Sequence, residues 1–200
     1  MPATTGDRAV LDAARAVLLR DPRASMSAVA REARMGVGGL YRRYANKQEL
    51  FRAVCDDNLR RYIALGEAAL SDGEDPWAAL GEFLGHVVDD GVHQLTPCLA
   101  GTVVVDDDLA ALGEQANAVT DRILRAARGS GMMRPDVSRA DLTLLVEQIG
   151  SLDLGSPERT AALRRRYLSL ILDGLRAGAA SRRLPGPPPE DDELSARWVI

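Results

Sequence analysis

The residues best suited to chemistry fall into a few groups. His86, Asp89 and Asp90 stand at i, i+3 and i+4, so one helix face can carry all three, and His93 and Cys98 follow. Imidazole, carboxylate and thiolate are zinc donors, but this spacing matches no defined zinc signature, and the plainer reading is a polar or pocket-lining face. Asp106, Asp107 and Asp108 could surround a hard cation. A run of acids directly before an apolar helical stretch more often caps the helix and complements its dipole. Glu147 lies among Leu142, Leu144, Leu145, Val146 and Ile149. A carboxylate on so apolar a helix needs a cationic partner or a polar cavity; an arginine pair and a ligand pocket shared with Gln148 both satisfy that need. No G-x-S-x-G turn, glycine-rich phosphate loop or H-E-x-x-H pair is present. The expectation is therefore no enzyme, no cofactor and no bound metal, the enzymatic alternative being a small helical protein using His86 with Asp89 or Glu147.

A basic cluster comes earlier. Tyr41, Arg42, Arg43 and Lys47 fall within seven positions, preceded by Gly36, Gly38 and Gly39. The net charge of −4 conceals an asymmetry: residues 1–61 carry 12 basic against 7 acidic side chains, and residues 62–200 carry 13 against 22. A head of +5 on a body of −9 is the electrostatic footprint of a DNA-binding segment. A chance distribution of surface charge is the competing explanation, since net charge carries no information on fold.

Helices must position these groups. Val10, Leu11, Ala14, Val17 and Leu18 give one apolar stripe over about Gly6–Leu19, and Asp21-Pro22 stops it. Ser25 caps a short second helix with Met26, Val29, Ala30 and Ala33 inside. A turn near Met35-Gly36 leads to a third helix over about Val37–Tyr44, and Asn46 caps a long fourth. Further helices are expected from Pro76, and at about 94–104, 107–129, 138–152 and 157–178. Thr102-Val103-Val104-Val105 reads as buried helix, because it is short and flanked by helical patterns. Ser181–Glu193 is proline-rich and acidic and reads as a disordered tail. No apolar run is long enough to span a membrane, Met1–Asp7 lacks a secretory signal's apolar core, and Cys55 and Cys98 form no CxxC pair. A cytoplasmic location is the expectation.

Two short helices joined by a tight turn, the second facing polar and aromatic residues outward, have helix-turn-helix geometry. Val29-Ala30-Arg31-Glu32-Ala33, Gly38-Gly39-Leu40-Tyr41-Arg42-Arg43-Tyr44 and Asn46-Lys47-Gln48-Glu49-Leu50-Phe51 closely resemble the DNA-binding domain of the tetracycline-repressor (TetR) family, over about residues 8–63. The resemblance implies that Tyr41 touches a phosphate, that Lys47 meets the DNA backbone, and that Leu40 and Tyr44 pack inside. It also implies dimerisation through the last two long helices, with Leu145, Ile149, Tyr167, Leu170, Ile171 and Gly174 as interface candidates. Arg34 stands where the family has its turn glycine, Gly36 replaces a serine cap, Gly39 a threonine and Arg43 a histidine.

The expected fold is all-α: an N-terminal three-helix helix-turn-helix head (1–46), a linking helix (47–70), a helical ligand-binding and dimerisation domain (71–180) and a tail (181–200). The expected function is a ligand-responsive transcriptional regulator, a repressor binding palindromic double-stranded operator DNA as a homodimer through Gly36, Gly38, Gly39, Tyr41, Arg42, Arg43 and Lys47, and released by a small molecule. The alternative is a helical dimerisation or ligand-binding module with weak or lost DNA binding. Beyond the head and linker only Trp77, Phe83, Tyr167 and Trp198 are aromatic, too few for a rich aromatic cage. An aliphatic pocket for a moderately apolar, neutral or weakly polar molecule is expected, drawn from Phe83, His86, Val87, Thr102, Asn117, Leu144, Glu147 and Gln148.

Overall fold

A computed structural model describes residues 5–72, 75–99, 101–179 and 182–198. The head comprises α1 (Thr5–Arg20), α2 (Met26–Glu32) and α3 (Val37–Arg43), and α4 (Lys47–Asp72) leads out of it. Short side chains start these helices as the sequence implies: the Ser25 hydroxyl accepts from Ala28 N at 3.2 Å, and Asn46 Oδ1 accepts from Glu49 N at 2.9 Å. Leu11, Ala14, Leu18, Val29, Ala30, Leu40, Leu50 and Phe51 form the head's core.

The larger helical body follows with α5 (Pro76–Asp90), a 3-10 turn at Val92–Gln94, α6 (Leu95–Leu99), α7 (Asp107–Gly129), α8 (Arg139–Gly150) and α9 (Pro157–Leu175). Each long helix has its own start signal. Asp75, Asp106, Ser138 and Ser156 side chains all accept from first-turn amides, and Ser138 with Asp141 completes a reciprocal capping box. The second core is built from Leu80, Phe83, Leu84, Ile123, Leu124 and Val146, among others. Helices α4 and α7 meet closely at Gly66, where a Cβ would stand 2.8 Å from Val119 Cγ2. Residues from the body also close the head's core: Leu95, Leu99, Val103 and Leu109 belong to that cluster. Among the described residues no strand occurs beyond one isolated bridge, Met133 with Arg176, and no helix is long and apolar enough to cross a membrane.

Two segments differ from the sequence reading. Thr102–Val105 is loop, not buried helix; Val103 is inside, but Val104 is 64% exposed. Thr102 N and Oγ1 both bond to Leu99 O, closing α6, and Asp106 caps α7, so the β-branched residues between them fall outside both helices. The tail also lies against the body over its described residues. Leu184 N donates to Asp136 Oδ2 at 2.9 Å, Arg134 Nη2 donates to Arg182 O at 3.2 Å, and α10 (Asp191–Ser195) precedes a 3-10 turn at Ala196–Trp198. Composition weighs apolar content, whereas polar bonds and an ion pair dock this segment. Val199 and Ile200 lie outside the described residues.

Candidate DNA-binding face and ligand cavity

Helix α3 buries only Leu40, which fixes it on the head's core. The rest looks outward: Tyr41 is 49% exposed, and Arg42 and Arg43 are exposed. Gly38 and Gly39 precede Arg42 by four and three positions and so share its helix face. The Arg42 guanidinium lies 4.0 and 3.7 Å from where a Cβ would stand on those glycines, and Met35 Cε stands nearer still to Gly39, at 3.1 Å. No acid pairs with Arg42 among the described residues. Arg43 sits 3.5 Å from Asp7 of α1. Lys47 Nζ donates to Arg23 O at 3.1 Å and lies 4.8 Å above the Phe51 ring, so its stem is packed while its charge stays at the start of α4. Tyr44 is half-buried against the head, and burial raises its hydroxyl pKa. Gly36 opens α3 with no side-chain cap.

The turn between α2 and α3 is tightly defined. Arg34 N donates to Arg31 O at 3.1 Å and Met35 N to Ala30 O at 2.9 Å, the paired bonds of a Schellman C-cap. The residue at its left-handed position is Arg34, at φ +53°.

Helix α4 joins this head to a cavity of about 580 Å³. Its Cys55, Asn58, Leu59 and Tyr62 form one wall; α5, α7 and α8 supply the others, including Val87, Asn117, Thr120, Leu142 and Val146. Burial pushes the Cys55 thiol up to about 12, so it serves as packing rather than as a nucleophile. Tyr62 bonds Thr120 Oγ1 at 2.9 Å and meets Phe83 edge-on, with ring centroids 5.2 Å apart. His93 Nδ1 lies 2.9 Å from Val87 O; a carbonyl can only accept, so Nδ1 carries the proton. Its Nε2 faces Gly150, close enough that a Cβ there would stand 2.3 Å away. Burial lowers the His93 pKa below 6.5 and keeps the ring neutral. Arg139 donates to Asn117 Oδ1 at 2.7 Å and approaches Asp121 at 3.4 Å.

Of the residues expected to line a pocket, Val87, Asn117 and Glu147 do so; Phe83, His86, Thr102, Leu144 and Gln148 do not. Phe83 is wholly buried in the core behind the wall, and His86 lies on the exposed side of α5, because Leu80, Phe83, Leu84 and Val87 define its inner face. Thr102 is held in the loop by Leu99 O. Leu144 and Gln148 are on the outer side of α8, turned away from the inward-facing Leu142, Val146 and Ile149. The α4 wall was missed, although Asn58 on an otherwise apolar helix face was a signal available in the sequence. Glu147, 8% exposed at its side chain, takes both proposed roles at once: it lines the cavity and is paired by Arg197 at 2.9 and 3.2 Å. Asp106 caps α7 and pairs with Arg52, and Asp89 pairs with Arg165 at 2.8 Å. No three His, Cys, Asp or Glu side chains gather at a point among the described residues.

A separate apolar face lies on α9, where Tyr167 is 43% and Leu170 56% exposed, with Gly174 exposed and Ile171 and, on α8, Leu145 half-buried. Ile149 is not on a free surface: it is 4% exposed and belongs to the body's core.

Comparison with known proteins bears on both halves of the chain. Residues 10–54 match the family described as bacterial regulatory proteins, tetR family, and residues 75–177 match the C-terminal domain of SbtR-like transcriptional regulators. The chain resembles the solved structure of the TetR-like regulator LfrR from Mycobacterium smegmatis, a complex with proflavine, at 24% identity over 89% of this chain and 98% of that one, with a TM-score of 0.66. It resembles a TetR regulatory protein from Mycobacterium vanbaalenii at 27% identity, covering 85% and 94% of the two chains with a TM-score of 0.56. It resembles SCO0520 from Streptomyces coelicolor at 24% identity, covering 84% and 97%, with a TM-score of 0.60. Curated proteins give no match. An exposed cationic recognition helix on a three-helix head, and matches that span both the head and the body, together place this chain in the TetR family of bacterial transcriptional regulators.

Proposed function

We propose that the protein is a repressor that binds palindromic operator DNA as a homodimer and is released when a small, largely apolar molecule fills the cavity. The observation that carries this reading is the course of α4. Its first turns, with Leu50, Phe51 and Val54, belong to the head's core, and its next turns, Cys55 to Tyr62, form a cavity wall. An occupant pressing on Asn58 or Tyr62 therefore displaces a helix whose first turns share the core that seats Leu40 of α3. Arg15 Nη1, bonded to Asp90 O at 3.2 Å, and Gln48 Nε2, bonded to Thr102 O at 2.9 Å, add polar ties between head and body. That LfrR was solved with proflavine accords with a small organic effector. Gly36, Gly38, Gly39, Tyr41, Arg42, Arg43 and Lys47 form the DNA face. Leu145, Tyr167, Leu170, Ile171 and Gly174 face a second copy, since two matched heads are needed to read a two-fold site. The head (1–46), linking helix (47–70) and effector domain (71–180) divide the work accordingly, in the cytoplasm and without catalysis.

Fluorescence anisotropy with the full-length protein, on DNA upstream of its own coding region and on random duplex, tests this. The expected Kd on the true site is about 10⁻⁸ M or below at physiological salt, about a thousandfold tighter than on random DNA. Thr143 on α8 also lines the cavity, and Thr143→Trp, which places an indole there, should weaken operator binding while the protein stays folded. Equal binding of the two duplexes, or no effect of the cavity-filling substitution, would reject the proposal.

A further inference from the structure

Glu147 and Arg197 are fifty positions apart, and their pairing brings the far end of the chain into the cavity. Leu194, Ser195 and Arg197 are part of its lining. Both guanidinium Nη atoms engage both carboxylate oxygens of Glu147, and no other cation pairs with that carboxylate among the described residues. A carboxylate this buried needs a positive partner. The partner is carried on a segment held to the body upstream through Arg134, Asp136 and Leu184, with Pro185-Gly186-Pro187-Pro188-Pro189 as a semi-rigid tether between. A second acceptor points the same way: Asn58 is 6% exposed and lines the cavity, and while its amide nitrogen donates to Val92 O at 2.9 Å, its Oδ1 has no hydrogen-bond partner among the described residues. Arg139, the other cation in the wall, is balanced by Asn117 and Asp121.

We propose that the C-terminal segment is a built-in occupant of the effector cavity, its Arg197 filling a cation subsite at Glu147, and that the effector is an apolar molecule bearing a protonated nitrogen that displaces it. This rests on the cavity being the effector site, and it replaces the neutral ligand expected from the scarcity of aromatic residues. A neutral occupant reaching Glu147 leaves the carboxylate dependent on Arg197, so the segment stays. An ammonium or guanidinium group substitutes for Arg197, and the segment is released. The tethered arginine competes at high effective concentration, so wild-type protein binds such a ligand less tightly than a chain without it.

The test compares n-decylguanidinium with n-decanol, the same tail with and without the charge, by isothermal titration calorimetry on the full chain. The variants are Arg197→Ala, a truncation after Glu190, Glu147→Gln, and Glu147→Gln/Arg197→Ala, which leaves no unpaired charge and guards against misfolding of the single arginine variant. Arg197→Ala and the truncation should bind n-decylguanidinium about tenfold tighter than wild type, as expected if about a tenth of molecules have the segment displaced. Their n-decanol affinity should change little. Both Glu147→Gln variants should lose the preference for the cation. If both probes bind all variants alike, the cation subsite is refuted while the cavity stands as a binding site. If neither probe binds any variant that keeps the wild-type circular dichroism melt, the subsite and the cavity reading fall together.

Discussion

Arg34 lies at the left-handed position that closes the turn of the helix-turn-helix, at φ +53°. An L side chain there crowds its own carbonyl, a cost of about 1–2 kcal/mol that glycine avoids. Replacing it with glycine also loosens the unfolded chain, which offsets about 0.4–1 kcal/mol of the gain. Arg34 is exposed, and its backbone bonds to Arg31 and from Met35 to Ala30 do not depend on its side chain, so nothing else is lost. Arg34→Gly should therefore stabilise the fold by roughly 0.5–1 kcal/mol, raising Tm by about 1–4 °C for a cooperative unit of this size. Arg34→Ala is the control: it removes the same charge but keeps the Cβ, and should leave stability near wild type. Urea titrations at one protomer concentration, with matched m-values, read the difference. The reasoning fails if the glycine variant is no more stable than the alanine variant, because strain would then not reside in the backbone at this residue.

Gly150→Ala would drive a methyl group into His93 and should destabilise by about 1–3 kcal/mol, measured by urea unfolding; a neutral result would show that the ring can swing aside. His93 has a lowered pKa in the fold, so the unfolded chain binds the proton first as pH falls below 6.5, and stability should drop in that range by at most about 1.4 kcal/mol per pH unit; His93→Gln should flatten that part of the profile, and an unchanged slope would exclude this ring as its source. Lys47→Ala should weaken binding to all duplexes alike and lower the salt slope by about one, whereas Arg42→Ala should cost about 1–3 kcal/mol on the operator and far less on random DNA; anisotropy titrations at several salt concentrations that reverse this pattern would overturn the division of roles. Leu170→Asp, on the exposed side of α9, should yield folded monomer in sedimentation and abolish tight operator binding; a persisting dimer would place the interface elsewhere.

The helix layout was legible because its start signals are local: Ser25, Asn46, Asp75, Ser138 and Ser156 each bond an amide two or three residues on. Helix rotation was legible only where the apolar stripe is narrow. On α8, leucines occupy both faces, so the pattern alone does not separate Leu144, half-buried on the outer side, from Ile149, which packing against α5 and the 3-10 turn buries in the core. Within the head's motif, Leu40 inside and Tyr41 outside were legible because both positions lie on one short, contiguous helix. The cavity wall on α4 and the docking of Arg197 on Glu147 are long-range juxtapositions, and no spacing rule reaches across fifty residues. The buried glutamate was nonetheless visible as a charge in want of a partner.

The body's share in the head's core bears on protein engineering. Regulators of this kind invite recombination, in which a sensor with one specificity is fused to the reading head of another. Here a splice at residue 46, or at the end of α4, would strip Leu95, Leu99, Val103 and Leu109 from the apolar cluster that Leu11, Leu18 and Phe51 complete. A functional hybrid must therefore carry α6 and the loop after it along with the head, or rebuild matching side chains in the recipient. The unit that can be exchanged is discontinuous in sequence, and its seam runs through α4 and back past Leu109.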